Sequence, residues 1–209
     1  MELFLIPINP IDVFLWTFRK NEKDVVNLYN TLSPVMQIAT GGSMLNFGYW
    51  SKEHSDPISA QENLCNVFGN LSELSTAKNV LDVGSGLSAP SKLWRDSYPT
   101  LNLYDVNINF KQLSFLKHEK NIEFLNSTST KLPFANNSVD RVLALESAQH
   151  FKPLDDFIAE SKRVLMKSGF LVMAVPITLK NSSLGRLGLL KFTWSSEHYG
   201  LDYLRDLIS

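Results

Sequence analysis

Two short stretches hold the residues whose types and spacing suit chemistry. The first is LDVGSGLSAP, residues 81–90, where an apolar run meets Asp82 and then Gly84, Ser85 and Gly86. Glycines this close together let a ligand approach the backbone, because no Cβ stands in the way. A helix that follows such a turn also offers its unpaired N–H groups to an anion. The third glycine of a dinucleotide loop is absent: Ser88 stands two places after Gly86, and Pro90 follows. A tight turn that binds nothing fits the same two glycines. The second stretch is ESAQHF, residues 146–151. Histidine as a residue type titrates near neutrality when unperturbed, so His150 suits removal of a proton from a hydroxyl. It lies four residues after Glu146, about one helical turn, so both side chains can face one cleft. A histidine that packs or caps a loop, and a purely structural glutamate, are the plainer alternatives.

Holding these residues in place takes an alternating chain. NVLDV (79–83), LNLYDV (101–106), IEFL (122–125), RVLAL (141–145) and FLVMAV (170–175) read as strands rich in branched residues. PSKLWRDSY (90–98), stopped by Pro99, and FKQLSFLKHEK (110–120) read as helices. Leu154, Phe157, Ile158, Val164 and Leu165 mark another helix, with Gly169 past its end. Ahead of the first strand a helix starts at Asp56. Pro57 suits its first position, Ser59 and Glu62 have capping-box spacing, and Leu64, Val67, Phe68 and Leu71 form an apolar stripe. Strands alternating with helices imply crossover units, hence an α/β fold with a doubly wound, mostly parallel sheet of five strands. Such sheets bind ligands beyond the carboxyl ends of the strands, at the switch point. Residues 81–90 form the first strand-to-helix turn and so fall where the site belongs.

The division expected is a helical appendage or lid over residues 1–55, ending in MLNFGYW (44–50), and one domain over 56–209. The 209 residues, 44% of them hydrophobic, suffice for one domain with a core. Twenty basic and 21 acidic side chains nearly cancel, which speaks against a nucleic-acid partner. Cys65 is the single cysteine, so no intramolecular disulfide forms, and a reducing, cytoplasmic setting fits. The apolar start, MELFLIPINPIDVFLWTF, contains Glu2 and Asp12 and is broken by Pro7 and Pro10. It is shorter than the ~20 apolar residues of a membrane span and lacks the basic leader of a signal peptide. Packing on the core is expected for it, with an interfacial anchor at Phe14, Trp16 and Phe18 as the alternative. Residues 176–200 mix Ser, Gly and Lys with large apolar side chains. That suits a covering loop, with Trp194, His198 and Tyr199 near an acceptor, and equally a plain surface loop. Leu201, Leu204, Leu207 and Ile208 recur at helical spacing.

VLDVGSG (80–86), LYDVNINFKQL (103–113), KLPFANNSVDRVLALESAQHF (131–151) and RVLMKSGFLVMAV (163–175) come in one order at one spacing. This combination resembles the class I methyltransferases that use S-adenosyl-L-methionine. Within them it is similar to the small-molecule branch of tocopherol, sterol and macrolide methyltransferases, and MLNFGYW is similar to a signature of that branch. The resemblance spans residues 44–175. It implies a Rossmann-like sheet and the cofactor S-adenosyl-L-methionine, with no metal. By the resemblance, the Gly84–Ser85–Gly86 backbone meets the methionine and ribose portion, and Asp82 reaches the amino end. Asn107 falls where the family carries an acidic residue for the ribose hydroxyls, and Asp105, on the same side of the strand, is the substitute. Thr128, with Ser129 beside it, falls where the family often places an Asp for the adenine amino group. Tyr49 and Trp50 would lid the pocket.

Methyl transfer is an in-line displacement, so the protein must align the partners, exclude water and remove a proton. The expected activity is methylation of a small, partly apolar acceptor, on oxygen in preference to carbon or nitrogen. His150 would be the base and Glu146 the orienting carboxylate. A degenerate cofactor-binding protein without activity is the rival reading, motivated by Asn107 and Thr128. A nicotinamide dehydrogenase is disfavoured by the missing third glycine. The family carries two further strands after the fifth, which leaves FLVMAV at an open edge here. A fragment of a longer protein, a second copy on that edge, or the 176–200 loop folded over it would each account for this, the fragment being preferred.

Overall fold

Residue 11, residues 21–178 and residues 199–208 are described by a computed structural model of the chain. Five runs of branched residues pair side by side as β1 (Asn79–Val83), β2 (Asn102–Asn107), β3 (Ile122–Asn126), β4 (Val139–Leu145) and β5 (Leu165–Ala174). Their order is β3-β2-β1-β4-β5, and every ladder is parallel. The expected doubly wound, Rossmann-like α/β sheet is therefore present, with the fifth strand at an edge. Central strands of such a sheet are covered on both faces, which is why they read as continuous apolar runs. Leu81, Val83, Val142 and Ala144 face one core, closed by α5 (Leu154–Val164). Val80, Leu143 and Leu145 face the other, closed by α2 (Pro57–Leu71) and α3 (Ala89–Ser97). Trp94 of α3 is fully buried there, stacks on Phe68 and donates its indole N–H to the Cys65 carbonyl at 2.9 Å.

Several local expectations are corrected. The start of α2 is capped by Asp56, whose Oδ1 accepts from the Ser59 N–H at 3.0 Å, so the Ser59–Glu62 box is not used. The buried stripe of α2 is Gln61, Cys65, Phe68 and Gly69, and Leu71 is 68% exposed. Small residues turn inward because Trp94 packs there: a Cβ on Gly69 would meet its Nε1 at 3.2 Å. The helix expected over 110–120 is only α4 (Phe110–Ser114). Beyond it Glu119 is held by Arg95 at 2.8 Å and Lys92 at 3.1 Å, and Asn121 turns the chain at a φ of +61° into β3. Gly169 does not end a helix. It lies in a bulge of β5, which starts at Leu165, five residues earlier than expected, and a Cβ there would meet the Asp140 carbonyl at 2.7 Å.

Within the N-terminal part, residues 22–40 form α1 (Glu22–Thr40), a helix of 19 residues. Asn21 and Asp24 cap it reciprocally, and Gly41 ends it in the left-handed region. A two-residue pair, β6 (Ile177–Thr178) with β7 (Tyr199–Gly200), and α6 (Leu201–Ile208) follow the sheet, and Leu204 of α6 is buried in the first core. The expectations for Glu2, Pro7, Pro10, Asp12, Phe14, Trp16, Phe18, Trp194 and His198 lie outside the described residues. No helix among the described residues is long and apolar enough to cross a membrane.

Candidate active site

The strand order reverses between β1 and β4, and a cleft opens beyond the carboxyl ends of the strands at that point. Its floor is the turn from β1 to α3. Three residues there take left-handed backbone: Gly84 (φ +81°), Gly86 (φ +57°) and Ser88 (φ +61°). The two glycines serve different needs. A Cβ on Gly84 would stand 2.5 Å from the Ser147 Cβ, so its bareness admits the loop after β4 rather than a ligand. Ser147 uses that closeness to donate to the Val83 carbonyl at 2.7 Å. Gly86 faces the cleft, and there the backbone angle is the main constraint. Ser88, where a third glycine was missing, is fully buried, and its hydroxyl donates to the Asp105 carboxylate.

Asp105 is not a substitute cleft residue. It lies beneath the loop, fully buried, and also accepts from Ser91 Oγ at 2.6 Å. Asp82 is its neighbour across the β1–β2 ladder, with Ser91 Oγ 3.4 Å from its Oδ2. Two carboxyls in a dry site hold protons more tightly than in water. Burial pushes Asp105 up to about 6, against the pull of Ser88 and Ser91. Burial and the Asp105 charge together push Asp82 well above the ordinary carboxylate range. Asp82 reaches the cleft wall, whereas Asp105 supports the loop from behind.

Asn107 lines the cleft, but its amide hydrogens are used inside the protein. They go to the Gly86 carbonyl at 3.0 Å and Gln112 Oε1 at 2.9 Å, and its Oδ1 accepts from the Asn109 N–H. It thus ties the glycine turn to the loop after β2. Thr128 and Ser129 also line the cleft, and the Thr128 hydroxyl donates to Glu22 Oε1 at 2.5 Å. Ser85 Oγ is buried at the cleft with no hydrogen-bond partner among the described residues. A buried hydroxyl left unpaired costs free energy, which a polar ligand there would relieve.

After β4 the chain makes a 3-10 turn, Ala148–His150; Glu146, just ahead of that turn, and His150 both line the cleft, without the helical turn that their spacing suggested. Glu146 takes a φ of +51° and accepts from the Phe47 N–H at 2.7 Å. Burial raises its pKa above the usual value, offset in part by that hydrogen bond. His150 Nε2 lies 2.9 Å from the Tyr29 hydroxyl, with the rings edge to face. Tyr29 comes from α1, which supplies one wall with Val25 and Val26. Sequence reasoning missed this wall. Its available signal was the spacing of residues 25, 26 and 29, one face of a helix.

Tyr49 and Trp50 do not line the cleft; they are 57% and 54% exposed. Tyr49 N–H bonds the Ala60 carbonyl, and a Cβ on Gly48 would meet that carbonyl carbon at 2.8 Å, so the segment lies flat on α2. The same segment reaches the cleft through Leu45 and Asn46 instead.

About 1010 Å³ of space lies between the cleft walls, part of it open to solvent. Asp82, Glu146 and Glu22 line it, and no Lys or Arg does among the described residues. Carboxylates in a partly dry wall favour a cationic ligand. No group of three or more His, Cys, Asp or Glu among the described residues is arranged to hold a metal ion.

Residues 81–173 match a family model described as a methyltransferase domain. The chain is 26% identical over 175 residues to erythromycin 3''-O-methyltransferase of Saccharopolyspora erythraea, covering 79% of this chain and 57% of that protein. It is 29% identical over 139 residues to methyltransferase GfsG of Streptomyces halstedii, covering 62% and 50%. The chain spans about half the length of these curated relatives. Among solved structures it superposes on the [4+2]-cyclase SpnF with a TM-score of 0.69 at 20% identity, covering 77% of this chain and 63% of that one. A geranyl diphosphate methyltransferase gives 0.69 at 13% identity, covering 93% and 80%. At these identities the structural likeness establishes the fold.

Proposed function

We propose, from the match of residues 81–173 to a methyltransferase domain model, that the protein transfers a methyl group from S-adenosyl-L-methionine to a hydroxyl of a small, partly apolar acceptor. The observation that carries this reading is the cleft at the switch point. It presents two carboxyls raised by burial, Asp82 and Glu146, an unpartnered Ser85 hydroxyl, and no competing cation among its described lining residues. Bound S-adenosyl-L-methionine supplies a methyl group on positively charged sulfur. Asp82, Ser85 and Gly86 would hold its methionine portion, Asn107 the ribose, and Thr128 with Ser129 the adenine. Glu146 favours positive charge in the cleft, and His150 takes the acceptor's proton. The apolar wall of Val25, Val26 and Leu45 excludes water and suits an acceptor with apolar surface. Oxygen as acceptor atom is supported by His150 and by the O-methyltransferase named among the relatives.

Titration calorimetry with S-adenosylmethionine, S-adenosylhomocysteine and NAD is the direct test. Binding of the first two and not of NAD is expected; binding of NAD alone would overturn the reading. A second reading, a cofactor-binding protein without methyl transfer, is favoured by two observations. The amide hydrogens of Asn107 and the hydroxyl of Thr128 are already committed within the protein. Release of S-adenosylhomocysteine in the presence of macrolide alcohols separates the two readings.

A further inference from the structure

We infer that Asp82 keeps a proton in the empty cleft and gives it up when the ammonium of the cofactor's amino-acid end binds there, so that cofactor binding releases a proton. This rests on the methyl-transfer reading, in which Asp82 helps to hold the methionine portion. Asp82 is 2% exposed and lines the cleft. Asp105 stands beside it across the β1–β2 ladder and is fully buried, as are Ser88 and Ser91.

Two hydroxyls, Ser88 and Ser91, bring one proton each to this pair of carboxyls. Ser88 Oγ donates to Asp105 Oδ2. Ser91 Oγ lies 2.6 Å from Asp105 Oδ1 and 3.4 Å from Asp82 Oδ2, so its single proton goes to Asp105. Both donors are then spent on Asp105, and no other donor meets the Asp82 carboxyl among the described residues. An ionised Asp82 would be a buried anion beside a second one, with no good hydrogen bond to hold it. Protonated, it does not repel Asp105 and can turn its own O–H towards Ser91 Oγ. Burial and the Asp105 charge hold this proton well above the usual carboxylate range.

The titratable groups around the pair leave this order in place. Lys92 of α3 favours the charge on Asp105 and is itself bridged to Glu119 at 3.1 Å. Burial and Asp82 push the Cys65 thiol of α2 up to about 12, so it stays neutral. Glu146, His150 and Tyr29 line the same cleft, and burial keeps the Tyr29 hydroxyl protonated. No Lys or Arg lines the cleft among the described residues, so a ligand ammonium is the cation that Asp82 can meet there. With that charge alongside, the Asp82 O–H bond breaks, the electron pair stays on the carboxylate, and the proton leaves to solvent through the open cleft. Linkage fixes the sign. Affinity rises with pH, by up to about tenfold per pH unit, over the range in which the empty cleft holds the proton and the occupied one does not.

Titration calorimetry with S-adenosylhomocysteine near neutral pH, repeated in buffers of low and high ionisation enthalpy, counts the protons. The parent should release up to about one proton per bound ligand. Methylthioadenosine keeps the adenine, ribose and sulfur but lacks the amino-acid end, and should give no release. Asp105→Asn, checked for folding by circular dichroism, should release less than the parent, because Asp82 loses the charge that holds its proton. His150→Ala and Glu146→Gln should release as much as the parent. No release by the parent, equal release with methylthioadenosine, undiminished release in Asp105→Asn, or its loss in His150→Ala or Glu146→Gln would each overturn the inference. Binding of S-adenosylhomocysteine without release sinks the proton step alone, whereas a parent that binds none sinks the methyl-transfer reading with it.

Discussion

At the scale of single residues, the two loop glycines should fail in different ways. Gly84→Ala places a Cβ against Ser147, backed by the bond from Ser147 to Val83. Neither neighbour can move cheaply, so the thermal midpoint should fall as for a core overpacking of about 1–3 kcal/mol. Gly86→Val instead puts branched bulk at a φ of +57° on the cleft floor. S-adenosylhomocysteine binding should disappear by calorimetry while circular dichroism still reports the folded sheet. Undiminished binding by Gly86→Val would show that the ligand does not touch this turn.

The buried carboxyl pair makes its own prediction at this scale. The folded pKa of Asp105, about 6, lies above the value of about 3.9 for a free Asp side chain. A group raised on folding stabilises the native state fully below its unfolded pKa and loses that contribution as pH rises through the folded one. Asp82 is raised in the same direction. The pair therefore favours the native state near pH 4 and weighs against it at pH 7. Asp105→Asn keeps the acceptor oxygen for Ser88 or Ser91 and removes the charge. Its thermal midpoint should rise relative to the parent as pH goes from 4 to 7.5. A constant difference between the two proteins across that range would show that Asp105 does not titrate there.

At the scale of elements, α1 is seated on the sheet largely by polar side chains. Asn30 accepts from Asn109 at 3.1 Å, Ser33 from Gln112 at 2.9 Å and Glu22 from Thr128 at 2.5 Å, and Tyr29 meets His150. Only Asp24, Leu28 and Ser33 of the helix are buried. An element with few buried apolar contacts opens more readily than the core. Amide hydrogen exchange in α1 should be faster than in β1 and β4, and S-adenosylhomocysteine should slow it, because the ligand fills the cleft that α1 walls. Exchange in α1 unchanged by saturating ligand would separate this helix from the site. Trp94 is the opposite case: fully buried between α2 and α3, it should cost about 3–5 kcal/mol when changed to Ala.

At the scale of the whole molecule, β5 pairs with β4 alone among the described residues. An unpaired strand edge is a template for another chain. Light scattering over a range of concentrations should show mass rising above that of one chain, through a second copy on this edge. A constant monomer mass would remove the edge as an interface.

How much was legible beforehand follows from the range of the forces involved. The five strands, the glycine turn and the Asp56–Pro57 helix start depend on neighbours a few residues away, and periodicity and turn chemistry report such neighbours directly. Gly169, Tyr49, Trp50 and Asp105 were misplaced because distant contacts decide them. The Asp140 carbonyl, the Ala60 backbone and the Ser88–Ser91 hydroxyls approach from other elements. The α1 wall is the clearest example: 121 positions separate Tyr29 from His150, and no local pattern encodes a contact across that distance. Packing α1 over the switch point brings the two side chains to hydrogen-bonding range.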